Sequence, residues 1–119
     1  MSAEKKSFDS PDEKRAIGNG QADVVNFDTA SAARATMQPG WRWSTDVKPI
    51  VGTESCQADH LGYVVSGRLH VVTDDGGEAE VGPGDAYVIH PGHDSWVVGD
   101  EPFVGLEFQS KTAETYAKT

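Results

Sequence analysis

Residues 54–96 decide the fold, and they read ESCQADHLGYVVSGRLHVVTDDGGEAEVGPGDAYVIHPGHDSW. Two short apolar runs, 61–66 and 86–89, are each followed by a turn that contains glycine. Between them, Asp74-Asp75-Gly76-Gly77 predicts a hairpin turn, because Asp-Gly readily takes the positive φ angles that such a turn requires. Short strands separated by turn signals of this kind are typical of an antiparallel β structure.

The segments on either side of this stretch continue the pattern. Trp41-Arg42-Trp43-Ser44 alternates large apolar with polar residues, which predicts a half-buried strand. Residues 103–108 also alternate, and one face of that strand carries Val104, Leu106 and Phe108. No long amphipathic helical pattern lies within residues 22–110. The sequence therefore predicts an all-β sandwich or barrel.

The length of 119 residues fits a single domain with a modest core. Thirteen glycines and six prolines suit many short strands joined by tight turns. We assign residues 21–110 to the barrel. Residues 1–20, which are charged and mixed, are predicted to form a mobile arm, and residues 111–119 a short tail.

The charge is strongly acidic. Nineteen Asp and Glu residues face ten Lys and Arg residues, which gives a formal net charge of −9. Clustered basic residues, which a phosphate backbone or an anionic membrane requires, are missing from the sequence. Nucleic acid and membrane are therefore excluded as expected partners.

Several features bear on the compartment. No apolar run approaches the roughly 18 residues of a membrane helix, and the first fifteen residues contain no apolar segment typical of a secretory signal. Cys56 is the single cysteine, so an intrachain disulfide is impossible. We expect a soluble, cytoplasmic protein.

The glycine spacing resembles the first of the two sequence motifs of the cupin superfamily. That motif is a glycine, five residues, His-x-His, three or four residues, Glu, six residues, and a glycine. With Gly67 as its last glycine, the glutamate position falls on His60 and the two histidine positions fall on Glu54 and Cys56. Lys48 occupies the position of the leading glycine.

The second cupin motif is a glycine, five residues, Pro-x-Gly, two residues, His, three residues, and Asn. Gly84 and Gly92 match its two glycines. His90 occupies the proline position and Ser95 the histidine position, while His93 lies two residues ahead of the latter. The resemblance implies a single-domain antiparallel cupin-like barrel of the jelly-roll or double-stranded β-helix type. It also implies a homodimer, which exposed strand edges would favour.

The substituted motif positions can still form a metal site. Glu54 and Cys56 are two residues apart on a predicted strand, so their side chains would face the same way. His60 would lie beside them after a bend, and His93 could complete four ligands. A carboxylate, a thiolate and imidazoles suit Zn²⁺ or Fe²⁺.

Each of these residues also has an ordinary structural role. A single cysteine on a strand is commonly a small buried apolar residue, and Glu54 could be a solvated charge. His60 could be a core or surface histidine, for which we favour a pocket position, and His93 could lie in an exposed turn. Both alternatives stay open for His93.

Three further residues are candidates for a ligand pocket. Ser95 could donate a hydrogen bond to a substrate or a water molecule. Aromatic residues ordinarily fill the core of a small barrel, but we expect one of Trp43 and Trp96 to line the mouth of the pocket.

Three functions are consistent with the sequence. The first is a small barrel that binds a divalent metal, a small-molecule ligand, or both. The second is a mononuclear metal-dependent enzyme of the dioxygenase or isomerase class, chemistries that the cupin resemblance implies. The third is a metal-free scaffold or interaction module, which the loss of the motif histidines favours.

Overall fold

The computed structural model describes residues 3–53 and 59–110, with Ser110 described by its backbone alone. Within these residues the chain forms antiparallel strands and two one-turn helices, which confirms the all-β prediction. In chain order the elements are β1 (Glu13–Ala16), β2 (Gly20–Asn26), β3 (Ala30–Met37), α1 (Trp43–Asp46), α2 (Lys48–Val51), β4 (His60–Ser66), β5 (Arg68–Thr73), β6 (Glu78–Val81), β7 (Ala86–Ile89), β8 (His93–Val98) and β9 (Phe103–Ser110).

The strands form two sheets. The larger has the order β1-β2-β3-β9-β4-β7 and the smaller the order β6-β5-β8. Neighbouring strands in both sheets run antiparallel. One cluster of buried side chains draws residues from both sheets, so the core lies between them.

The period-two alternation of the sequence places side chains on the two faces of each sheet. In β4, Gly62 and Val64 are buried, while Leu61, Tyr63 and Val65 are exposed. Val64 has no exposed surface, and burying such a side chain contributes about 1.5–3 kcal/mol. The inner faces of the sheets thus form the core.

Gly67 joins β4 to β5 at a point where only glycine fits. Its φ angle is +78°, a region that residues with a Cβ atom rarely adopt. A Cβ atom at this position would lie 2.3 Å from the carbonyl oxygen of Pro102. This is the glycine that anchors the resemblance to the first cupin motif.

The strand predicted at residues 41–44 is wrong. Trp43 begins α1, and the Asp46 carboxylate accepts hydrogen bonds from the backbone N–H groups of Arg42 (2.9 Å) and Asn19 (3.1 Å). Trp41 and Trp43 are nonetheless both buried. A pattern of four residues is too short to distinguish the period of two of a strand from one turn of helix.

Among the described residues, no helix is both long and apolar enough to cross a bilayer.

The N-terminal segment is more structured than a mobile arm. Residues 13–16, which we assigned to the arm, form β1 and pair with β2 from Glu13↔Val24 to Ala16↔Gln21. All four side chains of β1 are exposed, so no apolar pattern marks this strand in the sequence. The proposed tail, residues 111–119, lies outside the described residues.

Candidate functional site

A cavity of about 840 Å³ lies between the two sheets. Much of its wall is apolar, with contributions from the two buried tryptophans near α1 and from side chains of β3, β5 and β7. Polar groups also reach it from β4, β8 and β9. The residues that line the cavity include Met37, Trp41, Trp43, His60, Leu69, Ile89, His93, Ser95 and Glu107.

Glu107 is at the centre of a short hydrogen-bond network in this cavity. Its Oε1 atom lies 2.6 Å from His60 Nδ1, and its Oε2 atom accepts a 2.7 Å hydrogen bond from the Tyr87 hydroxyl. The three residues lie on β9, β4 and β7, which are adjacent in the large sheet. Both oxygens of the carboxylate are thereby occupied by side chains of the protein.

Gly62 makes the hydrogen bond between Tyr87 and Glu107 possible. It lies on β4 directly opposite Glu107 on one side and Tyr87 on the other. A Cβ atom on Gly62 would approach the Tyr87 hydroxyl oxygen to 2.5 Å. The tyrosine therefore reaches across β4 through space that any larger residue would fill.

The charge states in this network follow from its surroundings. Burial tends to raise the pKa of Glu107, but the hydrogen bond and charge of His60, then the Tyr87 hydroxyl and His93, together hold that pKa below its ordinary value. Burial, followed by the negative charge of Glu107, raises the pKa of the Tyr87 phenol. At neutral pH, Glu107 is ionised and Tyr87 is a hydrogen-bond donor.

His93 is buried beside this network at the start of β8. Its Nδ1 atom lies 2.8 Å from the carbonyl oxygen of His90, and its ring meets the ring of His60 edge-on with centroids 5.1 Å apart. Since a carbonyl oxygen only accepts, His93 Nδ1 carries the proton. The same holds for His60 Nδ1 facing the Glu107 carboxylate. When either ring is neutral, its lone pair is therefore on Nε2.

The structure brings together several of the residues that the sequence indicated. His60 and His93 are in ring contact, and Ser95 and Trp43 line the same cavity. Glu54 and Cys56, the other predicted metal ligands, lie outside the described residues.

Trp96 requires a correction. It lies on the face of β8 opposite to His93 and Ser95 and does not line the cavity. Its ring stacks on His70 with centroids 4.8 Å apart, and the Arg42 guanidinium lies 4.2 Å from its ring centroid. Strand alternation separates positions 95 and 96, so only one of them can face inward.

Glu107 and Tyr87 were missed as site residues in the sequence. Glu107 lies on the face of β9 that also carries Phe103 and Gly105, whereas the apolar residues of the opposite face suggested the core side. Tyr87 is buried, as aromatic residues of a small barrel ordinarily are. Gly62 was the one local signal, because a glycine inside a strand often marks a place where another group packs closely against the backbone.

The described part of the chain does not by itself supply a metal site. Across residues 3–53 and 59–110, no three His, Cys, Asp or Glu side chains are grouped so that they could hold a metal ion. Two imidazoles with an accepting Nε2 atom are suitable donors, but a third and fourth ligand would have to come from elsewhere. Glu54 and Cys56 remain the predicted sources.

Comparison with known proteins identifies the architecture. No protein-family model and no curated protein sequence match the chain. A protein of unknown function from Rhizobium leguminosarum bv. viciae 3841 superposes with a TM-score of 0.65 at 21% identity, over 91% of this chain and 96% of its own. An RmlC-like cupin from Shewanella frigidimarina superposes with a TM-score of 0.60 at 19% identity, over 96% of each chain.

Part of a larger protein has a similar fold. The oxalate decarboxylase of Lactobacillus farciminis, solved as a formate complex, matches 83% of this chain with a TM-score of 0.60 at 24% identity. The match covers 30% of the decarboxylase chain, so the present chain corresponds to a part of it. Together with the two packed antiparallel sheets, these likenesses show that the chain has the fold of the cupin superfamily.

Proposed function

We propose that the barrel binds a small organic molecule in the cavity between its sheets, and that His60 and His93 provide the polar contacts to it. The observation that carries this proposal is the Glu107 carboxylate, which is ionised and partly buried beside an apolar cavity. A buried charge costs stability unless it is paired. Networks of this kind beside a cavity are more common at functional sites than in ordinary cores.

The network assigns different roles to its members. Both Glu107 oxygens are occupied by His60 and Tyr87, so Glu107 is a positioning residue that fixes the ring orientation and tautomer of His60. His93 is held by the His90 carbonyl in the same way. The two imidazoles are therefore the groups best prepared to donate to or accept from a ligand.

The walls of the cavity indicate the ligand class. A volume of about 840 Å³ falls within the range of small-molecule sites. The indoles of Trp41 and Trp43 and the side chain of Leu69 favour an apolar or aromatic body, and the imidazoles favour one polar head group. The oxalate decarboxylase with the related fold was solved with formate, which makes a carboxylate a suitable first head group to test.

A thermal-shift screen of small aliphatic and aromatic carboxylic acids, with the matching alcohols and amides, tests this proposal. A compound that binds only the folded state raises the melting temperature. Hits are then titrated by tryptophan fluorescence in a Trp96→Phe background, in which the signal comes from Trp41 and Trp43. Turnover of a bound compound would identify an enzyme.

His60→Gln and His93→Gln should each weaken binding of a hit by about tenfold or more, the loss expected for a hydrogen bond in a buried site. His90→Gln is the matched control, because the His90 side chain is 79% exposed. Equal affinity in all three variants would show that the polar contacts lie elsewhere.

A divalent metal is a second candidate for the same site. The observation that favours it is the tautomer of both histidines, since metal-bound imidazoles commonly donate their second N–H to a carboxylate or a carbonyl. When bound, the metal would act as a Lewis acid. His60 and His93 would hold it, with Cys56 and Glu54 as the predicted further ligands.

Elemental analysis of protein purified without chelator tests the metal. We expect a stoichiometric Zn or Fe content that falls in the His60→Gln and Cys56→Ser variants and stays unchanged in His90→Gln. A metal content that is independent of His60 would remove this candidate and leave the ligand site to be judged by the thermal-shift titration.

A further inference from the structure

A buried hydroxyl group faces the cavity between the sheets. Ser95 lies on the inner face of β8 and is 5% exposed, and its backbone N–H donates a 2.8 Å hydrogen bond to Asp94 Oδ1. Its hydroxyl has no hydrogen-bond partner among the residues that the structure describes. Since those residues contain no sealed polar side-chain atom without a partner, the hydroxyl oxygen is accessible from the cavity.

Packing does not explain a serine at this position. Ser95 pairs directly with Val71 of β5, which is 3% exposed, and the buried Val97 follows it on the same face of β8. Valine or alanine would fill such a place without a polar group. A hydroxyl removed from water without a hydrogen bond costs stability, so buried hydroxyls are ordinarily paired. A molecule in the cavity can supply the partner that the described residues do not.

Strand geometry sets the distance from this hydroxyl to the imidazole groups. His93 and Ser95 are two residues apart on β8, so both side chains face the cavity, and their Cα atoms are about 7 Å apart. The ring of His93 is in contact with the ring of His60. The cavity therefore has polar groups at two places, the imidazoles and Ser95, and about 7 Å of strand separates them.

The sheet that faces β8 leaves room for a ring. Ala22 of β2 and Ala35 of β3 pair directly and both line the cavity, and Ala35 pairs on its other side with Gly105 of β9. Three small residues in a row do not reach across the space between the sheets. The indoles of Trp41 and Trp43 line the same cavity, and their faces pack well on another aromatic ring.

We propose that the ligand of this cavity is a ring-shaped carboxylic acid with a hydroxyl group at the end opposite its carboxyl group, and that this hydroxyl forms a hydrogen bond with Ser95. The proposal rests on the function proposed above, in which His60 and His93 hold the carboxyl group. A serine hydroxyl both donates and accepts, so it can pair with a ligand hydroxyl in either direction. The opposite ends of a six-membered aromatic ring suit the separation of the two polar places in the cavity.

Isothermal titration calorimetry with three acids tests the role of Ser95. Para-hydroxybenzoate carries its hydroxyl opposite the carboxylate, benzoate has none, and ortho-hydroxybenzoate carries it beside the carboxylate. In the wild-type chain we expect para-hydroxybenzoate to bind at least about fivefold more tightly than either of the others, the gain expected from one hydrogen bond in a buried site. In Ser95→Ala this preference should disappear.

Ser31→Ala is the matched control. Ser31 also lines the cavity, but it does so from β3, where it pairs with Asn26 and Gln109, and the substitution removes the same group. It should leave the preference for para-hydroxybenzoate unchanged. His93→Gln should weaken binding of all three acids by a similar factor and keep the preference, because it acts on the carboxyl end.

A measurement without ligand separates a ligand contact from a structural role. Ser95→Ala removes a hydroxyl that bonds none of the described residues, so the melting temperature should stay within about 2 °C of the wild-type value. A larger fall, as expected when a hydrogen bond within the protein is lost, would show that Ser95 is bonded to the chain and would overturn the proposal.

The calorimetry also distinguishes the role of Ser95 from the function on which it rests. If the three acids bind equally well and His60→Gln or His93→Gln weakens all of them, the imidazole site stands and the role of Ser95 is wrong. A preference for para-hydroxybenzoate that survives in Ser95→Ala has the same meaning. If none of the three binds at millimolar concentration while another acid of the thermal-shift screen does, the ring-shaped class is wrong. If no acid binds at all, the proposed function fails with it.

Discussion

Glu107 accepts two hydrogen bonds, and each of them can be removed separately. Tyr87→Phe removes one donor and leaves the contact with His60, so it should lower the free energy of unfolding by about 1 kcal/mol. Glu107→Gln removes the charge and places an amide N–H₂ group next to either His60 Nδ1 or the Tyr87 hydroxyl, both of which are donors. One hydrogen bond is therefore lost, and the free energy of unfolding should fall by about 1–3 kcal/mol. Urea denaturation at neutral pH measures both.

A double-mutant cycle checks that the two substitutions act on one network. Because Tyr87 and Glu107 are in direct contact, the combined loss should be smaller than the sum of the single losses. Additive losses would mean that the 2.7 Å hydrogen bond between them contributes nothing to stability.

Gly62→Ala should disturb the same network through the backbone of β4. The added methyl group would lie 2.5 Å from the Tyr87 hydroxyl oxygen and from Cζ of its ring, so the ring must move away from Glu107. Overpacking of this kind costs about 1–3 kcal/mol. Thermal denaturation measures the loss. Adding Tyr87→Leu, which removes the ring, should make the Gly62→Ala change less costly than it is in the wild-type chain.

At the scale of elements, β2 and β3 are joined by a partly buried ion pair. Asp23 and Arg34 are directly opposed in register, and an Arg34 guanidinium nitrogen donates to Asp23 Oδ2 at 3.1 Å. The 2.6 Å hydrogen bond from Gln21, opposed by burial and reinforced by Arg34, holds the pKa of Asp23 below its ordinary value of 3.8. The folded state therefore releases the Asp23 proton more readily than the unfolded chain does.

This depressed pKa makes the pair sensitive to acid. Its contribution is present above the ordinary pKa and is lost as the pH falls through the lower pKa of the folded state. Asp23→Asn should therefore cost about 1–2 kcal/mol at about pH 5.5 and progressively less toward about pH 3. Urea unfolding at several pH values measures this difference, and Asp28→Asn, an exposed change in the β2–β3 turn, is the control. A cost that stays constant with pH would contradict the assignment.

The strands were predictable because their side chains alternate between two environments. In β4 the buried residues are Gly62 and Val64, and in β5 they are Leu69 and Val71, so burial has a period of two within each strand. Gly67 is required by the turn between them. The sequence could not predict α1. Asp46 accepts hydrogen bonds from the backbone of Arg42 and of Asn19, and Asn19 is 27 residues away in the chain. The alternation of residues 41–44 also fits a short strand.

The candidate site was predictable in part, for a related reason. Motif spacing marked His60 and Ser95, and His93 was noticed because it lies two residues ahead of Ser95. Glu107 became part of the site only through the pairing of β9 with β4, a contact between residues 47 positions apart. Such a pairing is set by the packing of the whole sheet, and no local pattern in β9 expresses it.

At the scale of the whole molecule, the two faces of the large sheet have different chemistry. The inner face holds the ionised Glu107 with its donors and one side of the cavity, while the outer face of β4, β7 and β9 is neutral and apolar. The chain as a whole has a net charge of −9. The charged contacts of the candidate site therefore lie on the inner face of the strands whose outer face is apolar.

The net charge predicts how salt should affect the stability of the folded chain. Nineteen acidic residues against ten basic ones give a net charge of −9, and this self-repulsion destabilises a compact state. Screening shortens the range of charge repulsion from about 10 Å at 0.1 M to about 3 Å at 1 M ionic strength. We therefore expect the free energy of unfolding to rise between about 0.05 and about 0.5 M sodium chloride. Ile50, which is 68% exposed, offers a matched pair of changes: Ile50→Lys should be more stable than Ile50→Glu at low salt, and the two should converge at high salt. Urea denaturation measures all three chains, and a stability that falls as salt rises would show that attractive charge pairs outweigh the net repulsion.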